Sequence, residues 1–227
     1  MKIAEIFYSI QGEGSLVGVP SVFIRTSGCN LRCTWCDTPY ASWNPEGAEL
    51  SVAEIAARVR GFGASHVVIT GGEPMIAPEI VTLAAGMREA SQHITIETAG
   101  TVCQELECDL MSISPKLANS TPWERGGGRW ATQHERTRYK PDVLAKLIAE
   151  YAYQVKFVIA VPGDLQEIEK MQRDLTIPAP NIILMPEGVS RDTLRERGVW
   201  LAEICKERGY RFSPRLHVEL WGDRRGI

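Results

Sequence analysis

No stretch of this 227-residue chain approaches the roughly 20 consecutive apolar residues that a membrane-spanning helix needs. Charge of one sign is also missing: 25 basic residues stand against 28 acidic ones, a balance of −3. Such a chain has no global attraction for nucleic acid or for an anionic membrane surface. The opening residues Met1-Lys2-Ile3-Ala4-Glu5 lack the apolar run of a secretory signal. The expectation is a cytoplasmic protein in a reducing compartment, with no nucleic acid and no membrane among its partners. Hydrophobic content of 44% and charged content of 23% are ordinary for a globular chain, and the length suits one domain over residues 1–227.

Cysteine is scarce, six in all, and one is missing where it would be most expected. Cys29, Cys33 and Cys36 share one short loop with the spacing C-x3-C-x2-C, and no fourth follows nearby. An odd cluster does not make a disulfide framework, and clustered thiols in a reducing compartment read as metal ligands. A zinc site would complete its tetrahedron with a fourth Cys or His, and the next in sequence, His66 and Cys103, are far off. A cubane iron–sulfur cluster takes one thiolate per iron. Three thiolates leave one iron with an open position, able to hold a substrate or cofactor. The thiolate count favours iron–sulfur over zinc, and both remain metal readings at this point.

Short β-rich runs alternate with helical ones. Strands are expected at Ser21–Arg25, His66–Thr70, His93–Glu97, Asp109–Ile113, Gln154–Ile159, Asn181–Met185 and Arg215–Leu220. Ser51-Val52-Ala53-Glu54 has the pattern of a capping box. It opens a helix whose apolar residues Val52, Ile55, Ala56 and Val59 recur at helical spacing. A helix is expected over about Pro78–Ala90 and another from Pro141, where proline suits a first turn. Helices are also expected around Ile168 and around Leu194, Leu201 and Cys205. The repeated βα order implies an α/β fold with a parallel sheet and crossover helices. About six parallel strands are too few for the eight-stranded barrel, so a partial, incomplete βα barrel is expected. Residues 117–140 break the rhythm as an irregular insertion, read as a lid or a peripheral insertion.

In parallel α/β sheets, ligands gather beyond the carboxyl ends of the strands. Several informative groups fall there: the cysteine loop, Thr70-Gly71-Gly72-Glu73-Pro74, Glu97-Thr98-Ala99-Gly100 and Ser114-Pro115-Lys116. Paired glycines permit close backbone approach, although alone they would be an ordinary turn. Ile10-Gln11-Gly12-Glu13-Gly14 reads either as a turn between strands or as a clamp whose amide and carboxylate match a heterocycle edge. Arg25 offers a fork for a carboxylate.

The cysteine spacing followed by the GGEP turn resembles the radical S-adenosylmethionine (SAM) superfamily. Within it, the series Ile10–Gly14, Arg25, Cys33-Thr34-Trp35-Cys36-Asp37-Thr38, Val68–Pro74, Ile96–Gly100 and Ser114–Lys116 resembles the 7-carboxy-7-deazaguanine synthase family. The matching motifs span residues 10–116, about half the chain, in family order. The resemblance implies a radical SAM core and a carbon–nitrogen lyase of 7-deazapurine (queuosine) biosynthesis. That lyase converts 6-carboxy-5,6,7,8-tetrahydropterin to 7-carboxy-7-deazaguanine with ring contraction and loss of ammonia. It implies one [4Fe-4S] cluster on Cys29, Cys33 and Cys36, SAM as cofactor, and Mg2+ at Thr38. SAM would meet Trp35, Gly72, Ser114, Pro115 and Lys116. The pterin would meet Ile10, Gln11, Gly12, Arg25, Thr70, Glu97 and, in some members, the residue corresponding to Ile227. A flavodoxin or ferredoxin as electron donor and a homodimer are also implied. No side chain is marked as a general acid or base.

The C-terminal half departs from the family pattern. No Gln stands near Met185-Pro186-Glu187-Gly188, and His217 in His217-Val218-Glu219-Leu220 takes the place of a Gln-Thr-His pattern. Cys205 reads as a core residue, and Cys103 and Cys108 as structural. Two other functions remain to be tested against the synthase: a glycyl-radical-enzyme activase of the same superfamily, and a non-enzymatic iron–sulfur or zinc regulatory module.

Overall fold

Side chains alternate between the two faces of a strand, and in this chain the alternation separates core from site. The computed structural model describes residues 1–90 and 92–227. Val22, Ile24, Val67, Ile69, Ile94, Ile96, Met111 and Ile113 are buried in one apolar core. Val155, Phe157, Ile159, Ile182 and Leu184 belong to a second. The alternate residues Arg25, Thr70, Glu97, Ser112, Lys156 and Met185 line a cavity on the opposite, concave face.

The strands are β1 (Lys2–Ile10), β2 (Pro20–Thr26), β3 (Ala48–Glu49), β4 (His66–Gly71), β5 (His93–Thr98), β6 (Leu110–Ile113), β7 (Tyr153–Ile159), β8 (Ile182–Pro186) and β9 (Arg211–Phe212). They form one sheet in the order β3-β1-β2-β4-β5-β6-β7-β8-β9. Neighbours from β2 to β9 are parallel, while β1 is antiparallel to both β2 and β3. The two-residue strands β3 and β9 are its edges, so the barrel is open, as expected. Short edges present few unpaired backbone groups.

The helices are α1 (Pro39–Ser42), α2 (Val52–Phe62), α3 (Ile80–Glu89), α4 (Ala131–Thr137), α5 (Pro141–Glu150), α6 (Leu165–Leu175), α7 (Arg191–Arg208) and α8 (Leu216–Trp221). The expected capping box starts α2: Glu54 N donates to Ser51 Oγ at 3.3 Å and Ser51 N to Glu54 Oε2 at 2.8 Å. Ile55, Ala56 and Val59 face the first core, which also takes Leu83 and Met87 of α3 and Leu144 and Leu147 of α5. Ile168 and Met171 of α6 and Leu201 and Cys205 of α7 face the second. Among the described residues no helix is long and apolar enough to cross a membrane.

Two expectations change. Arg215–Leu220, read as a closing strand, is helical: Val218 N and Glu219 N both donate to Arg215 O. The alternation of Leu216, Val218 and Leu220 suggested a strand. The edge of β8 that a strand would need is already held by Arg211 and Phe212. The chain turns inward instead, and Leu216 N donates to Gly12 O at 2.9 Å. The stretch 117–140 is more ordered than an irregular loop, with two short 3-10 turns and α4. It packs behind the cysteine loop, and none of its residues beyond Lys116 lines the main cavity.

Candidate active site

The cysteine loop leaves β2 and is held mainly through its backbone. Trp43 Nε1 donates to Cys33 O at 3.0 Å, Arg125 Nη1 to Thr34 O at 2.7 Å, and Trp35 Nε1 to Asn119 O at 3.1 Å. Arg32 N donates to His134 Nδ1 at 3.1 Å. The three thiols pack with Leu31, Trp35 and Ala99. Burial pushes the Cys29 thiol up to about 12 and raises that of Cys33 as well. Dry thiols of this kind lose their protons to a group that brings compensating positive charge. Among the described residues no three Cys, His, Asp or Glu side chains gather so as to hold a single metal ion. Three cysteines set around one shared hollow instead suit a cluster that takes one sulfur per iron.

The glycine turn fits against this loop. A Cβ on Gly72 would lie 2.1 Å from Gly28 O and 2.6 Å from Ala41 O, so only glycine lets the turn approach. Glu73 is fully buried beneath it. Its carboxyl accepts from Thr98 Oγ1 at 2.8 Å, Ala99 N at 2.8 Å and Met75 N at 3.1 Å. Burial pushes the Glu73 carboxyl above its ordinary range, and these three bonds oppose that push. Glu73 therefore ties the ends of β4 and β5 together and braces the turn. At the end of β6, Lys116 Nζ folds back onto Ser114 O at 2.7 Å and Ser114 Oγ at 2.9 Å.

A buried ion network forms the far wall. Glu13 accepts from Lys156 Nζ through Oε2 and from Arg215 Nε through Oε1 at 3.0 Å. Arg215 also donates to Asp37 Oδ2 and to Gly188 O. The Lys156 and Arg215 side chains are only 7% and 8% exposed. Burial alone would raise the Glu13 carboxyl, but the two cations hold it well below the usual carboxylate range. Nearby, Gln11 Nε2 donates to Glu97 Oε1 at 3.1 Å, and Arg25 Nε donates to Glu5 Oε1 at 2.7 Å. Tyr40 OH donates to the same Glu5 oxygen at 2.7 Å.

These groups open onto one cavity of about 500 Å³. Cys29, Cys33, Cys36, Thr38, Trp35, Gly72, Ser114, Lys116, Ile10, Gln11, Gly12, Arg25, Thr70, Glu97 and Ile227 all line it. Pro115 does not; it is buried between Ser114 and Lys116 and shapes their backbone. Thr38 precedes α1 without using its hydroxyl as a cap, and its Oγ1 lies 3.8 Å from Cys36 Sγ. His217 packs against Gly12, where a Cβ would meet its Nδ1 at 2.0 Å.

The sequence reading missed Lys156, Arg215, Glu5, Tyr40 and Ser112, all of which line the cavity. Lys156 left a signal: a cation inside the apolar run Val155–Ile159 must face either a partner or a ligand. Arg215 left none, because its partners Glu13 and Asp37 lie far away in sequence.

The radical SAM superfamily model matches residues 23–147. A 7-carboxy-7-deazaguanine synthase of Rhodopirellula baltica is 47% identical over 227 residues, covering 100% of this chain and 88% of the relative. One from Halobacterium salinarum is 44% identical over 234 residues, covering 98% and 91%. Among solved structures, the crystal structure of QueE from Escherichia coli superposes with a TM-score of 0.68 at 28% identity, covering 95% of this chain and 94% of that one.

Proposed function

This chain belongs to the 7-carboxy-7-deazaguanine synthase family of the radical SAM superfamily, and on that premise we propose how its one mouth is divided among its ligands. It is a radical SAM enzyme and a lyase of 7-deazapurine biosynthesis, and the family implies a [4Fe-4S] cluster and SAM. The synthase names of its relatives do not favour the activase reading. The substrate we assign is 6-carboxy-5,6,7,8-tetrahydropterin, converted to 7-carboxy-7-deazaguanine with loss of ammonia.

Cys29, Cys33 and Cys36 would hold the cluster through three irons. The backbone of Gly71 and Gly72 would take the amino-acid end of SAM, with Ser114, Pro115 and Lys116 along its length and Trp35 beside the cluster. When bound, the cluster and SAM would supply one-electron chemistry at C6 of the pterin. The chain's own contribution is to bind, orient and exclude water. Glu97 is an acceptor for the N–H groups of the pterin's pyrimidinone edge, and the Gln11 amide fixes it. Arg25 has its Nε on Glu5 and keeps its Nη nitrogens for the substrate carboxylate. Ile10, Gly12 and Thr70 complete that end, and Ile227 closes it. Thr38 would offer a hard oxygen to Mg2+, an ion that keeps several waters and few protein ligands.

The observation that carries this reading is the convergence of the cysteine loop, the glycine turn, Lys116 and the Gln11–Glu97 pair on one cavity. The test is anaerobic reconstitution with iron, sulfide and Mg2+, then SAM, dithionite and the pterin, with products identified by mass spectrometry. The expected products are 7-carboxy-7-deazaguanine and 5′-deoxyadenosine. Deoxyadenosine release that the pterin does not stimulate, with no deazaguanine, would overturn the substrate. Thr38→Ala should raise the Mg2+ concentration needed for half-maximal turnover, and an unchanged Mg2+ dependence would remove Thr38 from the metal site.

A further inference from the structure

Glu5 of β1 lines the cavity with its two carboxylate oxygens engaged differently. Oε1 accepts from Arg25 Nε at 2.7 Å and from Tyr40 OH at 2.7 Å, while Oε2 accepts from Arg225 Nε at 3.3 Å. From this sharing we propose that Arg225 is the positioning residue of the carboxylate fork: it holds Glu5 Oε2, so that Arg25 spends only Nε on Glu5 and the enzyme selects pterins that carry a carboxylate. The proposal rests on the reading of Arg25 as the group that meets the substrate carboxylate. It adds what keeps that group free and where the selection is set.

The physical problem is competition. A guanidinium and a carboxylate pair best side by side, through two parallel N–H···O bonds. The Arg25 and Glu5 side chains are only 17% and 12% exposed, so water does little to separate them. Left alone with Glu5, Arg25 would turn Nε and one Nη onto both oxygens, and the arm meant for the substrate would be consumed. Among the described residues Arg25 instead donates to Glu5 Oε1 alone. Its guanidinium lies over the Phe7 ring at 5.8 Å, and Phe7 stacks on Phe23 at 5.0 Å, which gives the fork an aromatic floor. Burial would raise the Glu5 carboxyl, but Tyr40, Arg25 and Arg225 together hold it below its ordinary value, so it stays an anion and a standing competitor.

Arg225 is itself built into place. Its guanidinium stacks on the Tyr40 ring at 3.9 Å. Nη1 donates to Glu46 Oε2 at 3.0 Å and Nη2 to Ala4 O at 3.3 Å. These contacts join β1, α1 and the loop before β3 to the segment after α8. The ion pair with Glu46 is exposed and contributes little alone. The stack on Tyr40 is what fixes the guanidinium plane. Arg225 also offsets the charge of Glu5, so the charge of Arg25 is not cancelled before an anionic ligand arrives.

The test measures binding on the reconstituted holoenzyme with SAM and Mg2+ and without reductant, so that nothing turns over. Anaerobic equilibrium dialysis gives the affinity for 6-carboxy-5,6,7,8-tetrahydropterin and for tetrahydropterin, which lacks the carboxylate. The ratio of the two affinities is the selectivity. Arg225→Ala should lower that ratio roughly three- to tenfold by weakening the carboxylated pterin alone. In a Glu5→Gln background the same substitution should change the ratio no further, because the competing anion is gone. An unchanged ratio in Arg225→Ala, an equal loss of both pterins, or the same fall with and without Glu5 would overturn the proposal. Arg25→Gln tests the premise separately. A ratio that stays at the wild-type value in that variant would remove Arg25 from the carboxylate, whatever Arg225→Ala does.

Discussion

Glu13 and Arg215, 202 positions apart in the chain, meet at 3.0 Å inside the mouth, where neither side chain is more than 15% exposed. Arg215 reaches on to Asp37 and to Gly188 O, so one guanidinium joins the loop after β1, the cysteine loop and the turn after β8. Removing one member of a buried pair strands the other charge without water, a loss of about 3–5 kcal/mol. Arg215→Gln should therefore lower the unfolding free energy from denaturant titration by that order and raise uncoupled deoxyadenosine release, because Asp37 loses its anchor next to Thr38. Arg215→Lys should recover only part, since it keeps the charge and loses the fork. A stability loss under about 1 kcal/mol would mean that water screens the pair.

Gly72 is where a single methyl group would separate the cofactor site from the fold. A Cβ there would sit 2.1 Å from Gly28 O, a backbone atom that cannot swing aside. Gly72→Ala should leave the helical content unchanged while weakening SAM binding tenfold or more. Equilibrium dialysis of SAM on the iron-loaded protein checks this, and wild-type affinity would show that the turn relaxes.

How far the sequence spoke for itself depended on range. The cysteine loop, the glycine turn and Ser114–Lys116 are local patterns, and they lie where their strand ends suggested. The parallel order was legible because Val67–Ile69 and, apart from Lys156, Val155–Ile159 are β-branched or apolar on both faces. That same feature hid which alternate residues face the cavity: Val158 looks like its core neighbours. Arg215–Leu220 was misread because two-residue alternation over six positions also fits a short helix with Val218 inward. The ion network was invisible, since its partners at 13, 37, 156 and 215 become neighbours only through the folded sheet.

Glu97 carries a prediction about the substrate alone. It lies on the cavity face of β5, bonded to Gln11. Glu97→Gln keeps the shape but offers an N–H where the pterin edge also presents N–H groups. Its KM for the pterin should rise by about 1–3 kcal/mol in binding terms, roughly five- to 150-fold, with SAM affinity unchanged. A loss in SAM binding equal to that in pterin binding would place Glu97 on the cofactor instead.

His134 sets the acid side of the stability profile. The amide of Arg32 donates to its Nδ1 at 3.1 Å, so that nitrogen carries a lone pair. Nε2 therefore carries the proton and faces Ser120 Oγ at 2.8 Å, which in turn donates to Leu117 O at 2.6 Å. Burial lowers the imidazole from 6.5 to about 4, with Arg138 and Lys116 adding to the fall and Glu135 opposing it. Between those two values the unfolded chain binds a proton that the folded one refuses. Stability then rises with pH, and it is lost as pH falls from 6.5 toward 4, on the order of 3 kcal/mol in all. Glu13, depressed by its cations, adds a separate loss that begins only below the ordinary carboxylate value of 4.5. His134→Gln can still accept from Arg32 and donate to Ser120 but does not titrate. Urea midpoints measured across this range should fall in the wild type and fall less steeply in His134→Gln, whose remaining slope comes from His66 and His217, imidazoles that burial also lowers, and at lower pH from Glu13. Parallel curves for the two proteins would assign the acid sensitivity to another group and leave His134 as packing alone.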